Sequence, residues 1–302
     1  MKQDRGFVLV NALVLVAAMA AVAVFLLARA EAGRARLEQG QSGDQIGFYL
    51  DGFDALAMTL LDNDPPSIDH ASDAWAKADY SVPVDRGEMA GRITDLQGLF
   101  NLNWLTDSGN ARAPAAFETL LARIGVSAQS GQAIVAYLRA GGPEARQAYA
   151  RLDPPLDPVG GALLMFEQLH DIPQLSPQDI DRLRIFTTVL PADTALNINS
   201  TNTQILAGFL PEMSPVVIDR LLAARDRKPF EAIDDFVTAL EASLGEGLDD
   251  NFEVSRFSIG SDWFAVHSTA RLQTHVATRT TVMQRQAFPK GTAVQWRITT
   301  RP

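Results

Sequence analysis

The sequence predicts an α+β protein in which a long N-terminal helix packs on an antiparallel sheet and a large all-helical insert interrupts the domain. Three observations support this fold class. An apolar run over 7–28 continues into an amphipathic helical pattern that ends near residue 62. Residues 101–250 carry repeated helix–turn–helix patterns, and residues 251–302 alternate in the manner of strands.

Composition bounds the possible functions. The chain has 302 residues, a hydrophobic content of 47% and a formal net charge of −10. That charge disfavours binding to nucleic acid, which depends on clustered lysine and arginine. The absence of cysteine excludes disulfides, thiolate zinc sites and a cysteine nucleophile. The four histidines are too scattered for a zinc-binding spacing.

The N-terminal run has the properties of a membrane span. Residues 7–28 form 22 positions in which Asn11 is the only strongly polar side chain, and a hydrocarbon core requires about 20 apolar residues. Lys2 and Arg5 precede the run and place the N-terminus in the cytoplasm, with the rest of the chain across the membrane. Two arginines that follow the run weaken this orientation.

Three kinds of processing are compatible with this segment. A secretory signal would be cleaved after Ala30, although the apolar run is longer than a signal core. A plain anchor would stay uncleaved. A prepilin-type leader would be removed between Gly6 and Phe7, since a charged stub that ends in glycine precedes an apolar helix.

The helix is predicted to extend beyond the membrane as far as residue 62. The segment 63–66, Asn-Asp-Pro-Pro, ends it because proline cannot continue a helix. Several glycines between 33 and 47 could loosen or bend it. The apolar stripe comprises Ile46, Tyr49, Leu50, Phe53, Leu56, Ala57, Leu60 and Leu61.

Two short strands are predicted after the helix. Tyr80–Val84 and 89–94 have strand composition, and they flank a turn-like segment at 85–87.

The helical insert is predicted from two similar motifs and the helices that follow them. Asn-Leu-Asn at 101–103 and Asn-Ile-Asn at 197–199 each lead into a pair of helices, and a weaker third copy begins near 165. Serine and proline mark several of the helix starts. The predicted helices are 117–125, 128–139, 179–189, 203–210, 215–225 and 230–240.

Paired helices of this kind also occur in helix-hairpin-helix DNA-binding proteins. That binding mode requires glycine-bearing turns and nearby basic residues. The turn at 211–213 is acidic and lacks glycine, and acidic residues are interspersed among the basic residues of 219–234. The pattern therefore favours a structural or protein-binding module over DNA binding.

The C-terminal segment is predicted to form three or four antiparallel strands. Over 263–270 one face carries Trp263 and Ala265, and the other carries Phe264 and Val266. One of these two faces must cover the amphipathic half of the N-terminal helix. The predicted strands are 257–259, 263–272, 275–285 and 294–298.

These residues together resemble a known family. The Gly6-Phe7 leader, the long helix, the Asn-Ile-Asn insert and the C-terminal strands are similar to those of the protein K family of minor pseudopilins, which belong to the type II (general) secretion pathway. The most specific piece is Thr-Asp-Leu-Gln-Gly-Leu-Phe-Asn-Leu-Asn at 94–103. The resemblance covers nearly the whole chain.

The resemblance implies a pilin-like fold whose domain is interrupted by the helical insert. The chain then divides into a prepilin-type leader at 1–6, an N-terminal helix at 7–62 with its transmembrane half at 7–28, the first part of the pseudopilin α/β domain at 63–100, an inserted helix-hairpin-helix or SAM-like domain at 101–250 and the C-terminal strands of the pseudopilin domain at 251–302.

The resemblance also implies a role in assembly rather than catalysis. A prepilin peptidase would cleave between Gly6 and Phe7 and N-methylate Phe7. Asn11 is the fifth mature residue, where pilins and major pseudopilins carry a glutamate that protein K characteristically lacks. The expected subunit stands at the pseudopilus tip with minor pseudopilins I and J. It is anchored in inner-membrane lipid, has its bulk in the periplasm, and contacts exported proteins but not nucleic acid.

Calcium is a further expectation from the family, and it takes six to eight oxygen ligands. Asp249, Asp250 and Glu253 are the candidate ligands. None of the acidic groups follows an EF-hand spacing. The other acidic candidates are the pairs Asp62 with Asp64 and Asp69 with Asp73.

Two alternatives belong to other functional classes. One is a membrane-anchored, competence-type DNA-binding protein, which the net charge disfavours. The other is an unrelated envelope enzyme, for which the sequence contains no nucleophile-elbow motif, phosphate loop or histidine cluster.

Overall fold

The N-terminal helix is the longest element of the fold. The computed structural model describes residues 4–77, 79–85, 87–245, 252–287 and 289–300. Helix α1 (Asp4–Asp62) runs without interruption for 59 residues, which corresponds to about 88 Å at 1.5 Å per residue. The glycines that could have bent it lie within the continuous helix.

Short strands, long strands and helices follow α1. Turns of 3-10 helix lie at Leu102–Thr106, Tyr149–Arg151, Phe166–Asp171 and Val254–Arg256. In chain order the other elements are β1 (Tyr80–Val84), β2 (Gly87–Asp95), β3 (Phe100–Asn101), α2 (Ala113–Ile124), α3 (Ala128–Leu138), α4 (Pro177–Phe186), β4 (Thr187–Thr188), β5 (Leu196–Asn197), α5 (Thr203–Phe209), α6 (Pro215–Arg227), α7 (Ile233–Leu244), β6 (Phe257–Ser258), β7 (Trp263–Leu272), β8 (His275–Gln286) and β9 (Gly291–Thr300).

The main sheet has five antiparallel strands in the order β1-β2-β7-β8-β9. Strands β2 and β7 are neighbours although the whole helical segment separates them along the chain. The predicted α+β class, with a helix on an antiparallel sheet and a helical insert, is confirmed. The boundary predicted at residue 250 falls outside the described residues.

Two local predictions are wrong. The strand predicted at 257–259 does not join the meander, because β6 pairs in parallel with β5. The helix predicted over 179–189 ends at Phe186, since Thr187 and Thr188 pair in parallel with β3. In both cases a short pairing with a distant segment overrides the local pattern.

The second half of α1 packs on one face of the sheet. Phe53, Ala57 and Leu61 are buried against Phe264 and Val266, so the face that begins at Phe264 is the one that covers the helix. The approach is close over β2. A Cβ added at Gly91 would lie 2.7 Å from the Phe53 ring, so only glycine fits there.

A buried ion pair joins α1 to strand β8. Nη1 of Arg279 donates to Asp54 Oδ2 at 3.0 Å and to Asp51 Oδ1 at 2.5 Å. The side chains of Arg279 and Asp54 are 8% and 4% exposed, so neither charge is screened by water. Arg297 on β9 also contacts Asp51, at 3.1 Å, but its side chain is 51% exposed.

The helical segment has a core of its own. Phe100, Trp104, Phe117 and Phe209 form a cluster of aromatic rings whose centroids are 5.2 to 6.0 Å apart. Gly208 lies so close to the backbone of α2 that a Cβ would approach the Ala116 carbonyl oxygen to 2.6 Å. Helices α2 and α5 therefore pack backbone to backbone at the centre of the segment.

We expect Arg279→Met to destabilise the domain by about 3–5 kcal/mol, because the buried Asp54 carboxylate loses its close, buried cation and keeps only the exposed Arg297 guanidinium, 3.8 Å away. The matched substitution Arg297→Met removes an exposed partner and should cost less than about 1 kcal/mol. Denaturant unfolding of the full chain in detergent micelles would measure both. Equal losses for the two variants would contradict a buried role for Arg279.

Candidate functional site: the membrane anchor and its polar junction

The first half of α1 has no protein partner in the described chain. Residues Val10–Arg34 form a 25-residue apolar segment of which none is buried. At 1.5 Å per residue it is about 37 Å long, enough to cross a hydrocarbon core of about 30 Å. Its exposed large apolar side chains are Val10, Leu13, Val14, Leu15, Val16, Met19, Val22, Val24, Phe25, Leu26 and Leu27.

The predicted processing and assembly residues all lie on this anchor. Gly6 and Phe7 are in the first turns of α1. Asn11 lies on the same helix, and its side chain is exposed. The structure thus places these residues at the free end of the apolar helix, and their roles remain predictions.

The first Asn-Leu-Asn motif acts as a backbone clamp. Asn101 Oδ1 accepts from the amides of Asn103 and Leu190, at 3.1 and 3.0 Å. Asn103 Oδ1 accepts from the amide of Leu163 at 2.7 Å, while its Nδ2 donates to the carbonyls of Leu163 and Leu190. Both asparagines are buried and satisfy backbone groups far away in sequence.

The Asn-Ile-Asn motif repeats this arrangement. Asn197 Oδ1 accepts from the amide of Asn199 at 2.9 Å. Asn199 Oδ1 accepts from the amide of Phe230 at 3.0 Å, and its Nδ2 donates to the carbonyls of Phe230 and Ile259. In both motifs the first asparagine accepts from the amide of the second, and the second binds one distant backbone amide and two distant carbonyls.

The second clamp also ties the helical segment to the sheet. Asn197 Nδ2 donates to Asp95 Oδ2 at 2.9 Å and to the Asp69 carbonyl at 3.1 Å. Asp95 ends β2 and also accepts from Ser261 Oγ at 2.7 Å and from Ser200 Oγ. We call Asp69, Asp95, Asn197, Ser261 and Arg285 the polar junction.

Burial is the dominant electrostatic effect in the polar junction. It raises the pKa of Asp95, and the hydrogen bonds from Ser200 and Ser261 oppose that rise. It also raises the pKa of Asp69 to about 7, although Arg285 and the amide of Ser261 act in the opposite direction. Both carboxyl groups therefore hold a proton more strongly in the folded chain than in the unfolded chain.

Arg285 is the cation of this junction. Its Nη2 donates to Asp69 Oδ2 and to the carbonyl of Ser261, the latter at 2.7 Å, and its Nη1 lies 3.6 Å from Asp64 Oδ2. The guanidinium also lies over the Phe264 ring, 5.1 Å from its centroid. Because the side chain is only 5% exposed, its charge acts in a low-dielectric environment.

The acidic candidates for calcium divide into separate groups. Carboxylate oxygens of Asp64, Asp69 and Asp73 lie within 4.8 Å of one another. Two of their oxygens, Asp64 Oδ2 and Asp69 Oδ1, have no hydrogen-bond partner among the residues that the structure describes. However, the Arg285 guanidinium already supplies a positive charge to this group, so a divalent cation would face an unfavourable neighbour. The group fits a buried ion pair better than a calcium site.

The other candidates are only partly described. Asp249 and Asp250 lie outside the described residues. Glu253 is described, and its Oε2 accepts from Arg256 Nε at 2.8 Å. Asp62 Oδ1 accepts from the amide of Thr292 at 2.7 Å, so this carboxylate holds the start of β9 against the end of α1.

Sequence reasoning missed the two buried arginines. Arg279 and Arg285 lie on β8 on the side that faces α1, where strand alternation leads one to expect apolar residues. The sequence feature that could have revealed them is a charged residue at a strand position that faces the core, since such a residue needs a buried partner. The partner aspartates could not be identified from spacing, because they are more than 200 residues away in sequence.

Two models of protein families match the helical segment. Residues 98–192 match T2SSK_1st and residues 196–259 match T2SSK, and both are described as type II secretion system (T2SS), protein K. The two matches together span more than half of the 302 residues. Each match contains one of the two asparagine clamps.

Full-length relatives have the same description. The chain is 27% identical over 291 residues to type II secretion system protein K of Pseudomonas aeruginosa, covering 89% of this chain and 85% of that protein. It is 24% identical over 296 residues to type II secretion system protein K of Pectobacterium carotovorum, covering 89% of both.

A solved structure has the same fold. The similar chain belongs to the crystal structure of the GspK–GspI–GspJ complex from the enterotoxigenic Escherichia coli type 2 secretion system. The TM-score is 0.74 at 20% identity, and the match covers 88% of this chain and 99% of the other. At this identity the likeness concerns the fold.

The raised pKa of Asp69 predicts that stability falls as pH rises. The folded-state pKa of about 7 lies above the ordinary value of 3.8 for an aspartate, so this group stabilises the fold fully below about pH 4 and loses that contribution as pH rises through about 7. We expect Asp69→Asn to flatten the decline in the free energy of unfolding between about pH 4 and 8 by up to about 4 kcal/mol.

Denaturant unfolding of the full chain in detergent micelles at a series of pH values would test this. Asp44→Asn on the exposed face of α1 is the control and should keep the wild-type slope. If the free energy of unfolding of Asp69→Asn declines with pH as steeply as that of the wild type, Asp69 is not the group that causes the decline.

Proposed function

The chain belongs to the protein K family of the type II secretion system and is a minor pseudopilin, and from this we propose that it stands at the tip of the pseudopilus. In that position it would initiate or cap assembly together with minor pseudopilins I and J. The observation that supports this most strongly is the union of an exposed apolar helix with a packed pseudopilin domain in one continuous α1.

The continuous helix explains how such a subunit could pass from membrane to fibre. The apolar segment is exposed and would be held by lipid before assembly. The same helix is fixed to the sheet by Phe53, Ala57 and the ion pair of Asp54 with Arg279. Movement of the anchor out of the membrane would therefore move the whole domain with it.

Asn11 supports a position at the tip. In the stacked helices of a pilin-type fibre, a glutamate at the fifth mature position would neutralise the N-terminal amine of a neighbouring subunit. Asn11 is neutral and cannot form that ion pair. A subunit without a neighbour above it has no amine to neutralise, so the substitution fits the terminal place.

The proposed location follows from charge and processing. Lys2 and Arg5 favour a cytoplasmic N-terminus, which places the domain in the periplasm and the anchor in the inner membrane. The prepilin peptidase would cleave between Gly6 and Phe7 and methylate the new amine. The tip position would bring the domain into contact with exported proteins, and the proposal gives the chain an assembly role without a catalytic one.

Partnership with I and J is proposed from the family and from the neighbouring structure, which is a complex of GspK with GspI and GspJ. Calcium is proposed at the segment that contains Asp249, Asp250 and Glu253. This choice follows the donor chemistry, because three carboxylates within five residues offer oxygen ligands of the kind that a hard cation takes. Glu253 would have to exchange its contact with Arg256 for the ion.

We expect the mature chain to begin at N-methylated Phe7. Expression with a prepilin peptidase, followed by N-terminal sequencing and intact mass measurement of the membrane-bound protein, would show this. Gly6→Val should block cleavage and leave Met1 as the first residue. A wild-type chain that starts at Met1 or Glu31 would refute the prepilin-type leader.

We expect the full chain in detergent to co-purify with pseudopilins I and J of the same system. A tagged, unrelated single-pass membrane protein serves as the control. If the chain elutes alone from size exclusion in the presence of both partners, the tip assignment fails even when Phe7 is correctly processed.

We expect calcium to raise the thermal midpoint of the full chain, since a ligand at 100 times its Kd stabilises by about 2.7 kcal/mol. The double substitution Asp249→Asn with Asp250→Asn should abolish this shift, and Asp64→Asn should keep it. If Asp64→Asn abolishes the shift and the double substitution keeps it, the ion binds at Asp64, Asp69 and Asp73, beside Arg285.

A further inference from the structure

The outer face of the sheet, opposite α1, forms the floor of a groove that the helical segment partly covers. We call it the sheet groove, and its volume is about 750 Å³, within the usual range of about 300–1,000 Å³ for binding clefts. Its floor comes from β2, β7, β8 and β9, and its roof comes from Leu96, Leu99, Phe166, Ile185 and Val189 with their neighbours.

Strand register determines how the floor is composed. Ala265, Val282 and Trp296 lie side by side across three strands, and His267, Thr280 and Ile298 form the next row. The floor therefore changes from apolar and aromatic side chains near the β9 edge to polar side chains over β7 and β2. Crossing four strands at about 4.8 Å each gives a groove about 15 Å long, which fits four or five extended residues.

The apolar part of the groove is open to solvent. Ile185 on the roof is 65% exposed and Ile298 on the floor is 40% exposed. Both side chains line the groove, and neither is part of a buried core.

The opposite end of the groove is positively charged in a chain of net charge −10. Arg92 is exposed there, and within the described part of the chain no carboxylate lies at ion-pair distance from it. Arg184 pairs with Glu167 at 3.1 Å and stacks on Phe166. Partial desolvation lowers the pKa of His267, and the charges of Arg92 and Arg184 lower it further, so both arginines act on the same point.

We propose that the sheet groove binds a short, extended segment of a partner protein that carries apolar side chains followed by a carboxylate. The apolar side chains lie between Ile185 and Ile298, and the carboxylate accepts hydrogen bonds from Arg92 and neutral His267. Charge complementarity selects this occupant, because an added anion supplies the counter-charge that Arg92 lacks among the described residues. The carboxylate is that of a glutamate or aspartate side chain or of a chain terminus.

This binding site goes beyond the tip assignment, since its residues lie on the face of the sheet opposite α1 and apart from the anchor. The probe is a pool of fluorescein-labelled pentapeptides with valine, isoleucine or threonine at the first four positions and glutamate at the fifth. In one set the C-terminus is amidated, so that the glutamate side chain carries the carboxylate. In the second set valine replaces the glutamate and the C-terminus is free, so that the chain terminus carries the carboxylate. Fluorescence anisotropy with the full chain in phospholipid nanodiscs measures Kd.

We expect saturable binding with a Kd below about 1 mM and a loss of at least about fivefold when glutamine replaces glutamate in the amidated set. Arg92→Gln should weaken binding by about tenfold. Arg271→Gln, which removes the same charge from an exposed site on β7 outside the groove, should leave Kd unchanged within about twofold. Ile185→Ser should weaken binding, whereas Val216→Ser on the exposed surface of α6 should not.

Three results would overturn the proposal. The first is that no member of either set binds. The second is that Arg271→Gln weakens binding as much as Arg92→Gln does, which would indicate general charge attraction. The third is that the chain alone self-associates in sedimentation measurements and Ile185→Ser abolishes that association, which would make the groove an interface between copies of this chain. Circular dichroism of each variant confirms that the fold is retained.

Discussion

The fold depends on closing the sheet around an insertion. Strand β2 ends at Asp95, its neighbour β7 begins at Trp263, and the register between them is continuous. The chain must leave and return at one point without leaving buried polar groups unpaired, because each such group costs about 1–3 kcal/mol. Asp95 meets this requirement by accepting hydrogen bonds from the departing segment at Gln97, from the returning segment at Ser261 and from the insert at Asn197.

The insert solves the same problem twice. In each half, a two-residue strand enters, an Asn-x-Asn turn follows, helices pack, and a second two-residue strand returns in parallel beside the first. In each turn the side chain of the second asparagine binds backbone groups from the later part of the same half. An amide suits this task because it offers donors and an acceptor together. The boundary between the two family matches, near residue 194, separates these halves.

The parts of the fold that local patterns determine could be predicted from the sequence. The apolar run and the stripe of α1 follow from helical periodicity, and β7 to β9 follow from alternation. The parallel pairs of β3 with β4 and β5 with β6 could not be predicted, since two residues carry no periodic signal. The ion pairs of Arg279 and Arg285 depend on which distant aspartates the fold brings to β8, and no local pattern contains that information. The leader was inferred from the charged stub that precedes Phe7, whereas the meaning of Asn11 came from the family resemblance and not from geometry.

The layered arrangement separates two surfaces with different tasks. Helix α1 covers the inner face of the sheet, and the sheet groove occupies the outer face, so the same five strands lie between them. Packing of α1 against the helices of other subunits would use the exposed side of that helix and would leave the outer face accessible. The Arg279 ion pair and the polar junction hold both layers in a fixed relation. A segment bound in the groove would therefore be carried at a constant orientation to the anchor throughout assembly.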